Sequence, residues 1–279
     1  MYSNGNIHEK NVLARITNLA HRWSKLEIQG RQYENFPPAF PALRTLTASY
    51  IFTGDVYFFD APLLRTVRLG DSVALHSFVL PSHITHLSLS RLCVEDFPCL
   101  KLYPSLVELH FKSVHFYDGE TPLTITHPTI RCLSVSGIYL LSFLILPALE
   151  DLRIQRSESN LYVVSAFLSQ SGCSLKTLAI DVPCDDRLSG LLGTQPSLQG
   201  LSIMSHPHYR SLDLVYRRLA CPDFLSNLER FRIIYADDLY PQAVHMIRAR
   251  WYAPIRRLRN FVVVADSVKS SRTLEGDDQ

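Results

Sequence analysis

One short pattern recurs along this chain of 279 residues and restricts what it can fold into. It consists of an apolar residue, two variable residues, a second apolar residue, one variable residue and a third apolar residue, as in residues 106–111 and 149–154. Eleven copies begin at residues 23, 43, 64, 84, 106, 130, 149, 175, 198, 228 and 258. Successive copies are separated by 19 to 30 residues, a spacing that is typical of a repeat array.

Each copy has the pattern of a short β-strand with one apolar face. Its second and third apolar residues are two positions apart, so they lie on the same side of an extended chain. In six copies a proline stands two residues before the first apolar residue, where it suits the corner before a strand. One such strand cannot bury its apolar face alone. The copies are therefore predicted to stack side by side as a parallel sheet in an elongated solenoid.

The segments between the copies differ in the two halves of the chain. Up to residue 149 the spacing is too short for a strand and a long helix, so turns, small strands or 3₁₀ turns are expected, for example over 50–59 and 73–80. Beyond residue 150 the spacing grows, and apolar residues recur with helical period within 161–168, 188–192, 212–219 and 244–247. Four helices on the convex side are predicted there.

The two ends are expected to differ from the array. Residues 11–22 carry Val12, Ile16 and Leu19 at helical spacing, and Asn11 is suited to cap a helix. We therefore expect an N-terminal capping helix within 1–22, a solenoid over 23–264 and a polar, disordered tail over 265–279.

The array resembles the leucine-rich repeat, whose pattern continues to an asparagine or cysteine three residues after the last apolar position. None of the ten copies from the second onward has either residue there; the position is occupied, for example, by Ile51, Val114 and His206. The resemblance therefore implies an irregular α/β repeat solenoid. Its parallel sheet would form the concave side of a horseshoe, with turns or short strands on the convex side of the N-terminal half and helices on that of the C-terminal half.

Composition argues against several classes of protein. A net charge of +2 gives no strong electrostatic attraction to nucleic acid or to an anionic membrane. The longest apolar run, residues 138–146, is about half of what a membrane span needs. The six cysteines form no Cys-x-x-Cys pair and no dense framework, and the first residues lack the pattern of a secretion signal. A cytoplasmic or nuclear protein without nucleic-acid or membrane partners is expected.

The sequence contains no recognisable catalytic motif. It has no Gly-x-Ser-x-Gly, no phosphate-binding Gly-Lys-Ser/Thr loop and no Gly-x-Gly-x-x-Gly. The histidine pairs at His83/His86 and His206/His208 have no third ligand at the spacing of a metal site. No catalytic residue, cofactor or metal is therefore predicted.

The variable positions within each strand are predicted to form a polar face that meets a protein partner. Because these positions alternate with the apolar ones, their side chains leave the opposite side of the sheet. The candidate partner-binding residues are Arg68, His86, Glu108, His110, Lys112, Asp151, Arg153, Gln155, Arg230 and Arg232.

One stretch resembles a narrower family. Residues 18–28, which read Asn-Leu-Ala-His-Arg-Trp-Ser-Lys-Leu-Glu-Ile, are similar to the start of the leucine-rich repeats in F-box-type proteins of mushroom-forming fungi. The later proline-led copies and residues 227–233 fit the same family. The resemblance implies that the repeats select the substrate of a cullin-based ubiquitin ligase.

An F-box would dock the Skp adaptor of that ligase, but only about ten residues precede the first predicted helix, too few for an F-box of the usual size. Skp and cullin are therefore expected as partners only if an F-box is hidden or supplied by another chain. The alternatives are a leucine-rich-repeat scaffold unrelated to ubiquitin and, last, a metal-dependent enzyme that uses His86 and His110.

Overall fold

A computed structural model describes residues 19–29, 39–49, 57–58, 60–71, 73–114, 123–155, 160–181, 186–205, 213–235, 240–252 and 258–265. Contacts divide the chain into two compact units, Met1–Leu175 (unit 1) and Lys176–Gln279 (unit 2). Most of the predicted N-terminal helix lies outside the described residues, which include only a short 3₁₀ helix at Ala20–Arg22 from that region. The predicted tail lies outside them from residue 266 onward.

Unit 1 is built on parallel β-structure. Its strands are β1 (Lys25–Gln29), β2 (Thr45–Ser49), β3 (Tyr57–Phe58), β4 (Thr66–Leu69), β5 (Phe78–Val79), β6 (His86–Leu92), β7 (Glu108–Val114), β8 (Ile125–Thr126), β9 (Cys132–Ser136), β10 (Leu144–Ile145) and β11 (Asp151–Gln155). Seven of them form the main sheet in the order β1, β2, β4, β6, β7, β9, β11, with every pair parallel. The others form two small parallel pairs, β3 with β5 and β8 with β10.

The register of the main sheet produces two buried apolar ladders. The second apolar residues of successive copies pair with one another, and so do the third. The ladders run Leu46, Val67, Leu87, Leu109, Leu133, Leu152 and Ala48, Leu69, Leu89, Phe111, Val135, Ile154. All twelve side chains are at most 3% exposed. Burial of this kind contributes about 1.5–3 kcal/mol for each large aliphatic side chain.

The connections in unit 1 are short, as the spacing predicts. Besides the two small strand pairs they contain 3₁₀ helices at Leu75–Ser77, Val94–Asp96, Pro98–Leu102 and Tyr139–Phe143. After β11 comes the first α-helix of the described residues, α1 (Leu161–Ser171). Asn160 caps its start by accepting a hydrogen bond from the backbone N–H of Tyr162 at 3.2 Å, and Gly172, at φ 59°, ends it.

Unit 2 alternates strands with helices. It contains β12 (Thr177–Asp181), α2 (Asp186–Gly193), β13 (Gly200–Ser205), α3 (Asp213–Ala220), β14 (Arg230–Tyr235), α4 (Tyr240–Trp251) and β15 (Asn260–Ala265). The four strands pair in parallel and in chain order. Helices lie at all four predicted positions. In α4, however, Val244 and Ile247 are only half-buried, and among the side chains that the structure describes there Ala243, Met246 and Arg250 are buried.

The α/β class, the parallel pairing and the location of the strands and helices are thus confirmed for the described residues. A strand begins within each of the eleven copies. The horseshoe and its concave side stay predictions. No helix in the described ranges has both the length and the apolar character needed to cross a membrane.

Candidate protein-binding face

The side of the main sheet opposite the buried ladders carries polar side chains in rows, and we call it the polar face of unit 1. Parallel register places equivalent residues of adjacent strands about 4.8 Å apart. The first row reads Lys25, Thr45, Thr66, His86, Glu108, Cys132, Asp151, and the second reads Glu27, Thr47, Arg68, Ser88, His110, Ser134, Arg153. In the second row, charged and imidazole side chains alternate with small hydroxyl side chains.

The centre of this face is the group formed by His86, Glu108 and His110. Nε2 of His110 donates a hydrogen bond to Oε1 of Glu108 at 2.7 Å. Nε2 of His86 lies 3.2 Å from the other carboxylate oxygen, within ion-pairing distance. Each carboxylate oxygen of Glu108 is thus next to one imidazole. The group arises because His86 and Glu108 are register partners, while His110 follows Glu108 by two residues on β7.

Two further contacts orient side chains on this face. The hydroxyl of Thr85 lies 2.8 Å from Nδ1 of His86 and donates to the backbone carbonyl of Arg65 at 3.3 Å. On β11, Nε and Nη2 of Arg153 donate to the two carboxylate oxygens of Asp151, each at 3.2 Å. These hydrogen bonds and the charge of Asp151 raise the pKa of Arg153. The two side chains thus neutralise each other.

The cations Arg68 and Lys112 of the face are exposed and have no such partner in the part of the chain that the structure describes. Within the ranges that the structure describes, neither Arg68 nor Lys112 forms a side-chain hydrogen bond or an ion pair. Lys112 lies two residues beyond His110 on β7, and Gln155 lies exposed at the end of β11. Arg68 and Lys112 thus carry positive charge that no described acid pairs, whereas the carboxylate of Glu108 is already paired.

An open hollow of about 160 Å³ lies on the face next to Arg68. It is lined by Thr66, Val67, Arg68, His86, Leu87, Ser88, Glu108 and His110. Pockets that enclose a small-molecule substrate usually measure about 300–1,000 Å³. This hollow is therefore of a size for a single side chain of a partner rather than for a whole metabolite.

The thiol and the imidazoles of the face lie close to carboxylates. Burial, followed by the carboxylates of Asp151 and Glu108, raises the pKa of the Cys132 thiol, which keeps it protonated and weakly nucleophilic. No group of three or more histidine, cysteine, aspartate or glutamate side chains among the described residues has the arrangement of a metal site. His86 and His110 approach Glu108 as ion-pairing or hydrogen-bonding partners.

The predicted residues Arg230 and Arg232 lie on β14 of unit 2, where both are exposed. Arg230 pairs in register with Gly200 of β13, and its Nη2 lies 3.5 Å from where a Cβ on that glycine would be. The guanidinium of Arg230 thus lies across β13 in the space that the glycine leaves open.

The sequence pattern did not indicate a second pair, His76 and Asp96. The buried carboxylate of Asp96 accepts hydrogen bonds from the backbone N–H groups of His76 and Cys93 at 2.9 and 3.1 Å, and from Nδ1 of His76 at 2.8 Å. Its partner His76 lies twenty residues earlier, a separation at which no local signal exists. The contacts tie two consecutive connections of unit 1 together.

Comparisons with known proteins identify no relative. No protein-family model, no curated protein and no solved structure matches the chain. The resemblances to leucine-rich repeats and to fungal F-box-type proteins therefore depend on the sequence motifs alone.

Proposed function

We propose that this chain is a protein-recognition module that binds its target through the polar face of unit 1. One observation carries the proposal: adjacent strands align paired and unpaired charges in rows around a hollow that fits one side chain. Rows of this kind present a wide, rigid surface, since each side chain is anchored to a sheet whose other side is buried.

The proposal includes an irregular leucine-rich-repeat solenoid in which this face is concave. Support comes from the strand that begins within each sequence copy and from the short connections of the N-terminal half. A concave face of parallel strands is the surface that repeat proteins use to surround a partner. The repeat copy that contains a binding residue then decides on which strand it lies, and its place within the copy decides in which row.

We further propose that the target is a substrate of a ubiquitin ligase. The motif around His21, Arg22 and Trp23 supports this assignment, because it resembles the start of the repeats in F-box-type proteins of mushroom-forming fungi. Trp23 stacks on Phe40 with ring centroids 6.2 Å apart, so the tryptophan of that motif has a packing role at the first strand. The chain then serves as the substrate-selecting part, or as a relative that recognises targets without an F-box.

Affinity capture from the source cells, read by quantitative mass spectrometry, tests the proposal. The baits are the wild-type chain, two charge-reversal variants of the polar face, Glu108→Lys and Arg153→Glu, and the control Lys101→Glu. Lys101 is exposed on a 3₁₀ helix outside the sheet. Circular dichroism establishes that all four proteins are folded before the capture.

We expect the wild-type bait to capture a specific protein, and both face variants to capture at least tenfold less of it. A tenfold loss corresponds to about 1.4 kcal/mol of binding free energy, as for a hot-spot residue. The Lys101→Glu bait should retain it at the wild-type level. Equal retention by all four baits would refute the assignment of the face. Recovery of Skp and cullin with the target would support the ligase role, whereas a target recovered without them would favour a scaffold unrelated to ubiquitin.

A further inference from the structure

The charged side chains around the hollow of unit 1 differ in how many partners they have. Glu108 is flanked by the imidazoles of His86 and His110, one at each carboxylate oxygen. Arg68, which also lines the hollow but lies on β4, is exposed and has no ion-pair partner among the described residues. The guanidinium therefore carries the charge that remains available to a ligand.

The donors next to Arg68 lie in the same row. Ser88 is its register partner on β6, and His110 is the register partner of Ser88 on β7. The row therefore presents, in sequence, a guanidinium, a hydroxyl and an imidazole, with about 4.8 Å between adjacent strands. Glu108 belongs to the other row, about two residues or roughly 6.6 Å away along β7.

From this geometry we infer that the hollow binds an acidic side chain of the protein partner. Its carboxylate receives two parallel hydrogen bonds from Arg68 and a third from the hydroxyl of Ser88. This inference rests on the proposed function, which it deepens by naming the chemistry of the partner: an exposed segment with aspartate or glutamate at its centre.

Shape and charge both favour a carboxylate over other groups. A volume of about 160 Å³ is below the roughly 300–1,000 Å³ of pockets that enclose a small molecule, and so suits the end of one side chain. The fork of an arginine matches the two oxygens of a carboxylate, and such paired bonds are about twice as strong as neutral ones. A cationic side chain would instead meet an unpaired guanidinium.

Fluorescence anisotropy with a short labelled oligoglutamate peptide tests the inference on the full chain. The variants are Arg68→Gln and Ser88→Ala. The control is Arg44→Gln, which removes the same charge from an exposed arginine just before β2, outside the rows. Labelled oligoglutamine and oligolysine peptides test whether binding requires a negatively charged ligand.

We expect wild type to bind oligoglutamate, with an affinity that falls as salt is added, and to bind oligoglutamine and oligolysine much more weakly. Arg68→Gln should weaken binding by about tenfold or more and Ser88→Ala by about threefold, whereas Arg44→Gln should change it by less than about twofold.

Equal weakening by Arg68→Gln and Arg44→Gln would overturn the inference, since binding would then follow net charge alone. So would an absence of oligoglutamate binding, or stronger binding of oligolysine. In each of these cases the proposed function is judged separately by the capture experiment. A target that is lost from the Glu108→Lys and Arg153→Glu baits would leave that function standing with a partner of different chemistry.

Discussion

Replacement of Arg250 by methionine is expected to destabilise the protein by about 3 kcal/mol. Arg250 lies on α4 and is only 6% exposed. Its guanidinium donates to four backbone carbonyls, those of Leu219, Cys221, Phe224 and Leu225. These carbonyls belong to the end of α3 and to the turn that follows, where the last carbonyls of a helix have no partner of their own.

The magnitude follows from two opposing effects. Four hydrogen bonds to a charged donor contribute about 1.5–3 kcal/mol each, or roughly 6–12 kcal/mol together. Taking the cation out of water costs several kcal/mol, and this burial lowers the pKa of Arg250. The difference is about 3 kcal/mol or more. The turn also holds Leu225 at φ 51°, a left-handed conformation that is unfavourable for a non-glycine residue by roughly 1–2 kcal/mol.

Urea unfolding followed by circular dichroism measures this difference, with Arg248→Met as the matched control. Arg248 lies on the same helix but is exposed, so its replacement should change the unfolding free energy by less than about 0.5 kcal/mol. Arg250→Met should lower the melting temperature by roughly 5–10 °C. If Arg250→Met proves as stable as Arg248→Met, the guanidinium does not hold the turn, and the reasoning fails.

Three further predictions concern His127 and Gly70 in unit 1 and Gly190 in α2. Burial lowers the pKa of His127 below its ordinary value of 6.5. As the pH falls, this imidazole is therefore protonated in the unfolded chain before it is protonated in the folded one, and the free energy of unfolding decreases below about pH 6.5. In urea unfolding, His127→Gln should reduce this loss of stability by up to about 1.4 kcal/mol per pH unit. If the unfolding free energies of wild type and His127→Gln change in parallel with pH, the prediction is wrong. Gly70→Ala should destabilise by about 1–3 kcal/mol, because its Cβ would lie 2.9 Å from Oγ and 3.1 Å from Cα of Ser49. Gly190→Ala in α2 meets open space and should stabilise by about 0.5–1 kcal/mol in the same assay, so equal effects of the two substitutions would refute the packing argument.

The sequence by itself determined where the strands lie. Within each copy the apolar residues two positions apart decide which side of the strand is buried, and Leu87 and Leu109 show this in adjacent strands. Their places within consecutive copies also predict that His86 and Glu108 occupy equivalent positions on neighbouring strands. The helices after β11 were predictable for the same reason, since Val164, Phe167 and Leu168 are buried at helical spacing.

The sequence did not reveal contacts that depend on side chains from distant segments. In α4 the apolar period suggested Val244 and Ile247, yet the buried face includes Arg250, whose partners lie 25 to 31 residues earlier. A buried arginine has no signature in a hydrophobic pattern, because its burial is tolerable only where carbonyls converge on it. The same holds for Asp96, whose burial depends in part on two donors of His76, from a separate connection.

For the candidate site, too, some features could be predicted from the sequence and others could not. Its residues could be chosen from the sequence because alternation along a strand places every second side chain on the polar face. Which charges remain available was decided only by the tertiary structure, in which Glu108 meets two imidazoles, Arg153 meets Asp151 and Arg68 meets neither acid. Local periodicity specifies the direction of a side chain, whereas its partner depends on distances of a few ångströms between strands that the chain brings together only on folding.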